Sequence, residues 1–120
     1  MRNRRSDGDG FEDLASAFLE AKGYTIIRRN VHILRKEVDI IAAMGDTIVF
    51  VEVKGRRSTA YGHPAEAVGA RKQHNLVRLA DAYMKRERLW DRACRFDVVG
   101  VTLDAQGSPV FEHIENAFGA

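Results

Sequence analysis

Three side chains in the middle of the chain have the types and spacing of a phosphate-binding site: Asp39, Glu52 and Lys54. Carboxylates are the hard oxygen ligands that Mg²⁺ prefers, and a Mg²⁺ ion held by one or two of them binds substrate phosphates through its remaining positions. A lysine beside such a cation can hold or polarise an attacking water. These residues therefore suggest metal-dependent chemistry on a phosphate-containing substrate.

The sequence between these residues predicts a β-hairpin that would bring them together. The segments 38–44 and 47–53 are dominated by Ile, Val, Ala and Phe, and Gly45-Asp46 between them is a two-residue turn signal with glycine first. Because side chains alternate along a strand, the charged residues project from one face of the hairpin. The turn predicts the facing pairs Met44–Thr47, Ile41–Phe50, Asp39–Glu52 and Glu37–Lys54.

The predicted pair of Asp39 and Glu52 is unfavourable unless something neutralises it. Carboxylates directly opposite each other are ~5 Å apart at Cβ and repel by roughly 3 kcal/mol at an effective dielectric of ~20. An ordinary cross-strand pair contributes only ~0.2 to 1 kcal/mol, so packing does not explain this one, whereas a divalent cation does. The alternatives are that Glu52 and Lys54 form an exposed pair at a strand end and that Asp39 pairs with an arginine.

The same residues match a known pattern. Asp39 followed by Glu52-Val53-Lys54 after a hairpin resembles the PD-(D/E)xK nuclease motif, with Val38 in place of the proline. A longer string resembles the YraN family of predicted nucleases, which is distantly similar to archaeal Holliday junction resolvases, and this resemblance covers nearly the whole chain. The string comprises Gly23-Tyr24, Arg29-Asn30, residues 37–41 and residues 50–54, and it departs from the family at Lys36, where glycine is usual.

The resemblance implies an α/β fold with a restriction-endonuclease-like core, in which helices flank a mixed central β-sheet. It also implies a metal-dependent nuclease, an endonuclease with exonuclease action as the alternative, that hydrolyses phosphodiester bonds in DNA, including branched or repair intermediates. Asp39, Glu52 and the Val53 carbonyl would bind Mg²⁺ or Mn²⁺, and Lys54 would orient the attacking water or stabilise charge. The rival interpretation is a non-catalytic nucleic-acid-binding or partner module with a nuclease-like fold.

The first predicted helix brings a further carboxylate toward the site. Residues 1–9 are polar and predicted to be disordered, and from Gly10 the apolar residues follow helical spacing until Gly23, which is well placed to end the helix. Glu12 lies at the margin of the buried stripe. It forms a variant capping box with Asp9, or it matches the first-helix glutamate of resolvase-like nucleases, which helps to bind metal or orient water; the two interpretations are compatible.

The segment after Lys54 is rich in glycine, serine and arginine and predicts a loop that leaves directly from the site. Arg56 and Arg57 are the candidates for positioning phosphates in this loop. Tyr61 would stack on a base or would simply anchor the loop by packing. The loop is therefore the predicted path of a substrate strand.

Two other elements carry polar residues near the predicted site. The helix 65–85 has Lys72 and Gln73 in its first half, where related nucleases contact the scissile phosphate or the water, although a solvated helix face is the alternative. The first strand, 24–33, carries Arg28 and Arg29, which would contact phosphates or would be a solvated edge that discourages strand addition.

The last third of the chain predicts two more strands, 96–103 and a terminal hairpin strand 109–114, which completes the order α-β-β-β-α-β-β. Asp97 is expected to pair with an arginine. Trp90, in the connector before these strands, is expected to be a core or dimer anchor rather than a base-stacking platform. Cys94 is expected to be a semi-buried small hydrophobe.

Length and composition limit the class of protein. The 120 residues suit one domain over residues 10–120, and 45% hydrophobic with 30% charged residues suits a soluble globular protein. The net charge is +2, but all 19 lysines and arginines precede residue 96, so a basic face for nucleic acid is one interpretation and arginine-rich coding bias the other.

One cysteine excludes a cysteine-based zinc cluster. No apolar run reaches transmembrane length, so the expected location is the cytoplasm, with no membrane partner; analogy with resolvases suggests a homodimer.

Overall fold

The structure, a computed structural model, describes residues 6–56 and 68–119 of the chain. Its elements follow the predicted order of one helix, three strands, one helix and two strands. They are α1 (Ser6–Ala21), β1 (Thr25–Ile33), β2 (Lys36–Met44), β3 (Thr47–Arg56), α2 (Ala70–Arg86), β4 (Ala93–Leu103) and β5 (Pro109–Phe118).

The five strands form one mixed sheet in the order β1-β2-β3-β4-β5. All neighbours are antiparallel except β3 and β4, which are parallel. Parallel neighbours need a crossover connection, and the segment between these two strands contains α2. The predicted α/β class with a mixed sheet flanked by helices is therefore confirmed.

One helix covers each face of the sheet, so side chains of the inner strands are buried on alternate sides. On the α2 side Ile41 and Phe50 pack beneath Leu76 and Tyr83. The buried residues on the α1 side are Ala15, Leu19, Tyr24, Ile40, Ala42, Val49, Val51, Val99 and Val101. The predicted inward stripe of α2 is confirmed, because Leu76, Leu79, Ala80 and Tyr83 are all buried.

The predicted turn and the register next to it are correct. Met44 pairs with Thr47 and Ile41 with Phe50, and the β2–β3 ladder continues to Ile40 and Val51. It ends there, so the predicted pairs of Asp39 with Glu52 and of Glu37 with Lys54 are not part of the ladder.

A change in the facing of β2 accompanies the end of this ladder, while the ladder with β1 on the other edge continues to Lys36. Val38 belongs to the α2-side cluster whereas Ile40 belongs to the α1-side cluster. Strict alternation predicts the same side for both residues, so the strand changes its facing around Asp39.

Several element limits differ from those predicted. Helix α1 begins at Ser6, before the predicted start at Gly10. Strand β3 continues through Gly55 and Arg56, which were assigned to a loop, because both residues go on pairing in parallel with Val101 and Thr102 of β4. The described part of α2 begins at Ala70, after Gly69 as its N-cap residue.

Two side chains predicted to be at least partly buried lie at the surface. Trp90 is 67% exposed, so the core interpretation of this residue is wrong. Cys94 is exposed rather than semi-buried. Both precede the first buried residue of β4, Phe96, where the strand enters the core. Neither described helix is long and apolar enough to cross a bilayer.

Candidate metal and active site

Asp39 lies where the ladder between β2 and β3 ends, and its carboxylate accepts the next hydrogen bond between the two strands. The Val53 amide donates a hydrogen bond of 2.7 Å to Asp39 Oδ2. An amide at the end of a ladder otherwise needs another acceptor or water. The side chain of Asp39 thus bridges the two strands and lies beside the Glu52-Val53-Lys54 segment.

Glu52 is the buried member of the site. It is 5% exposed, on the same side of β3 as Phe50, toward α2. Its Oε2 atom lies 3.6 Å from Lys54 Nζ and 3.5 Å from Lys72 Nζ. Its other oxygen, Oε1, is buried and has no hydrogen-bond partner among the described residues. A buried carboxylate oxygen without a partner is costly, so this atom calls for a ligand.

The electrostatics of the two carboxylates reflect burial and proximity. Burial, and after it the Asp39 carboxylate, raise the pKa of Glu52 to about 7, although Lys72 and Lys54 act in the opposite direction. Burial also raises the pKa of Asp39, against the Val53 hydrogen bond and the two lysines. The site therefore favours a bound positive charge, which a proton or a cation can supply.

Glu12 reaches the same region from α1. It is 6% exposed, and the hydrogen bonds and the ion pair that it makes with other described residues involve Oε1. This atom accepts hydrogen bonds from Asn30 Nδ2 at 2.9 Å and Arg29 Nε at 3.2 Å. Burial raises the pKa of Glu12, and Asp39 contributes in the same direction. The capping-box interpretation is wrong, because Asp9 lies inside the helix, which begins at Ser6.

Asn30 is the residue that the sequence analysis missed. Its backbone is left-handed, with φ of 53°, and asparagine is among the few residues that adopt this region readily. The flanking pairs, Arg29 with Ile40 and Val31 with Val38, place Asn30 in register opposite Asp39. The only signal in the sequence was the Arg29-Asn30 dipeptide of the family string, which had no role assigned.

The other predicted site residues lie in different places. Lys72 is brought to Glu52, with which it forms an ion pair, and its contact with nucleic acid stays a prediction. Gln73 donates a hydrogen bond of 2.9 Å to the Val68 carbonyl, so its amide holds the entry to α2. Arg56 ends β3 and has interactions of its own. Arg57 and Tyr61 lie outside the described residues.

The expected partner of Asp97 belongs to a separate polar cluster on the α1 side of the sheet. Asp97 is 1% exposed and accepts hydrogen bonds from Arg95 Nε at 3.0 Å and from the Asn116 amide at 2.9 Å. His113 Nε2 is 2.7 Å away, and Lys22 Nζ is 2.7 Å from the other ring nitrogen. Burial would raise the pKa of Asp97, but these hydrogen bonds outweigh it and lower the pKa. The expected pairing of Asp97 with an arginine is thereby confirmed.

In residues 6–56 and 68–119, no group of three or more His, Cys, Asp or Glu side chains is placed to hold a metal ion. The candidate ligand set is therefore two carboxylates, Asp39 and Glu52, together with the Val53 carbonyl. Such a set is too small for a site made only of protein ligands. It suits Mg²⁺, which commonly keeps several waters and binds through one or two carboxylates plus substrate phosphates.

Comparison with known proteins gives close relatives over the whole length. A UPF0102 protein of Symbiobacterium thermophilum is 47% identical over 116 residues, covering 97% of this chain and 98% of that protein. A UPF0102 protein of Geobacter sulfurreducens is 47% identical over 107 residues, covering 89% and 84% respectively. A UPF0102 protein of Pseudomonas paraeruginosa is 41% identical over 120 residues, covering 98% and 96%.

A solved structure of SfsA from Pyrococcus furiosus, in complex with Ca²⁺, is similar over 92% of this chain and 63% of that chain, with a TM-score of 0.46 and 19% sequence identity. The sequence profile described as "Uncharacterised protein family UPF0102" matches residues 11–101. That match includes Glu12, Asp39, Glu52 and Lys54. The resemblance to the YraN family is thereby confirmed, and the chain belongs to the UPF0102 family.

Proposed function

We propose that this protein is a metal-dependent nuclease that hydrolyses phosphodiester bonds, in DNA by preference and at branched or repair intermediates. The observation that supports it best is the buried Oε1 of Glu52, which has no hydrogen-bond partner among the described residues. The carboxylate of Asp39 is near enough to raise the pKa of Glu52, and the other oxygen of Glu52 faces two lysines. A Mg²⁺ or Mn²⁺ ion would supply the missing partner.

The fold supports the proposal through the place of each ligand. Asp39 lies on β2 at the end of a ladder, Glu52 and Lys54 lie on the neighbouring inner strand, and α2 covers them. This arrangement on a mixed sheet with the order α-β-β-β-α-β-β is what we expect of a restriction-endonuclease-like core. The Val53 carbonyl, next to an amide already bound to Asp39, is a further candidate ligand.

The bound metal would lower the pKa of a water and offset negative charge that develops on the phosphate. Asp39 and Glu52 would hold the metal ion, and Asp39 is itself oriented by the Val53 amide. Lys54, whose side chain is 28% exposed, can donate to the attacking water or to a phosphate oxygen. Lys72 neutralises the oxygen of Glu52 that it faces. Glu12, held through Oε1, can accept a proton or a hydrogen bond through Oε2.

The rival function is a nucleic-acid-binding or partner module that does not cut. One observation favours it: Lys54 and Lys72 already lie within 3.6 Å of Glu52, so two positive charges balance the two carboxylates without a metal. Metal binding therefore separates the two functions.

The decisive experiment is calorimetric titration with Mn²⁺ and Mg²⁺, followed by cleavage assays on labelled linear, flapped and four-way DNA and on RNA of the same sequence. The variants are Asp39→Asn and Glu52→Gln, and Glu37→Gln is the matched control because Glu37 is an exposed carboxylate on the same strand. We expect metal binding and cleavage in wild type and in the control, and neither in the two site variants. Nucleic-acid binding unaffected by EDTA, without metal binding or cleavage in wild type, would favour the rival.

A further inference from the structure

A second polar feature opens at the free edge of the sheet. Strand β1 is an edge strand, and between it and the end of α2 lies an open cleft of about 580 Å³. Three of its lining residues are arginines and one is an acid. The cleft is lined by Ile27, Arg28, Arg29, Asn30, Val31, Arg86 and Glu87.

The arginines come from two different elements, so folding creates the cluster. Arg28 pairs in register with Ile41, in the row that faces α2. Burial raises the pKa of the Tyr83 hydroxyl on α2, and the nearby Arg28 guanidinium acts against this rise. Arg86 is the last residue of α2. Glu87 is the one acid among the lining residues. The third arginine, Arg29, is ion-paired with Glu12 and Asp13 of α1, so Arg28 and Arg86 supply the excess positive charge of the cleft. An edge strand also offers unpaired backbone N–H groups to a ligand.

The cleft adjoins the metal site along the sheet. Asn30 lines the cleft and lies in register opposite Asp39. Adjacent strands are about 4.8 Å apart, and two residues of a strand rise about 7 Å, so the row of Arg28 lies about 7 Å from the row of Asp39 along the strand direction. Successive charges on one strand of a nucleic acid are about 3.4 Å apart along the helix axis, so this distance corresponds to about two nucleotide steps.

We infer that the cleft between β1 and the end of α2 binds a non-scissile phosphodiester of the nucleic-acid strand that enters the Asp39–Glu52 site. Arg28 and Arg86 are the side chains that bind this phosphate. Arginine suits this role because its planar fork donates two hydrogen bonds to a phosphate. The inference rests on the proposed function for the identity of the substrate. A free phosphate or a nucleotide has the same chemistry, and the experiment separates these sources.

The test measures binding in EDTA, so that it does not depend on cleavage. Fluorescence anisotropy of a labelled single-stranded oligonucleotide, and of a duplex of the same sequence, is followed between about 50 and 200 mM salt. The variants are Arg28→Gln, Arg86→Gln and the double variant. Arg78→Gln is the matched control, because Arg78 is exposed on α2 and does not line the cleft.

We expect each cleft variant to lose about tenfold in affinity, as for a charged hydrogen bond, and the control to lose less than about twofold. The slope of the logarithm of the binding constant against the logarithm of the salt concentration should fall in magnitude with each phosphate contact removed. The decrease should be about 0.7 for a single strand or about 0.9 for a duplex. Arg28→Lys should recover part of the affinity, because it keeps the charge and loses only the fork. Melting temperatures of all variants establish that each is folded.

Two outcomes overturn the inference. In the first, the cleft variants bind nucleic acid as wild type does while wild-type binding is salt-dependent. In the second, inorganic phosphate at matched ionic strength shifts the amide resonances of residues 27–31 in an Arg28-dependent way, and oligonucleotides do not. A different result would contradict the nuclease proposal and leave the inference about the cleft intact. In that result nucleic-acid binding depends on Arg28 and Arg86, but adding Mg²⁺ or Mn²⁺ produces no cleavage.

Discussion

The Val53 amide donates a 2.7 Å hydrogen bond to Asp39 Oδ2 at the point where the ladder between β2 and β3 ends. A backbone amide of β3, the strand that also carries Glu52 and Lys54, therefore orients the Asp39 carboxylate. Val53 itself remains paired with Val99 of β4, which fixes the position of this backbone donor. The relative position of Asp39 and the Glu52–Lys54 segment is thus a property of the sheet.

This hydrogen bond predicts different effects for two substitutions of Asp39. Asp39→Asn keeps an oxygen that can accept from Val53, whereas Asp39→Ala leaves that amide without its partner. We expect the alanine variant to be less stable than the asparagine variant by about 1–3 kcal/mol, the cost of an unmade buried hydrogen bond. Urea denaturation measures the difference. Equal midpoints would mean that water replaces the carboxylate at no cost.

The stability of the protein should depend on pH through Glu52. Its pKa is about 7 in the folded state, against an ordinary value of 4.5. As pH rises from 4.5 to 7 the unfolded chain loses this proton before the folded one does, so the free energy of unfolding falls. The loss should amount to about 3 kcal/mol at most and should level off above pH 7.

Glu52→Gln removes that titration. The stability difference between this variant and wild type should therefore increase with pH and become constant above the folded pKa. Urea denaturation from about pH 5 to about pH 8 measures it, with Glu37→Gln as the control for an exposed carboxylate. A difference that does not change with pH contradicts the raised pKa.

Metal binding should compete with the same proton. A carboxylate must be ionised to bind a cation, so the affinity for Mn²⁺ should rise as pH approaches 7 and change little above it. Below that pH, binding should release protons. Calorimetry in two buffers with different enthalpies of ionisation gives the number released. A pH-independent affinity would place the metal away from Glu52.

Gly55 is required because α1 packs directly over β3. A Cβ atom at this position would lie 2.1 Å from the Phe11 ring. Gly55→Ala should therefore destabilise the protein by about 1–3 kcal/mol through overpacking, and the loss should be smaller in a Phe11→Ala background, where the ring is gone. A double-mutant cycle measured by thermal unfolding tests this. Additive losses would mean that the ring and the added methyl group do not meet.

Asn30 offers a matched pair of substitutions that separate its backbone from its side chain. Asn30→Gly tolerates the φ of 53° but removes the 2.9 Å hydrogen bond to Glu12. Asn30→Ala removes the same bond and adds the cost of a left-handed alanine, about 1–2 kcal/mol. We expect both to reduce cleavage by about tenfold, and only the alanine variant to lose the additional stability. Cleavage unchanged in Asn30→Gly would show that Glu12 needs no such support.

Local sequence patterns determined most of the secondary structure. The turn at Gly45-Asp46 and the inward stripe of α2 follow from turn chemistry and periodicity, and both are confirmed. The turn and the alternation of side chains also predict that Asp39, Glu52 and Lys54 lie near one another, although the predicted pair of Asp39 and Glu52 is not part of the ladder. These features are readable because each depends on residues within one or two elements.

Only the tertiary structure decided how the site is completed. The sequence indicated strict alternation through Asp39, but β2 changes its facing there. Glu37 lies opposite His32 of β1 rather than in a pair with Lys54. Asn30 and Lys72 reach the carboxylates from elements that are distant in sequence. The same holds for Gly55 beneath Phe11 and for Arg28 near Arg86. Such contacts depend on how sheets twist and helices pack, which no local pattern of residues specifies.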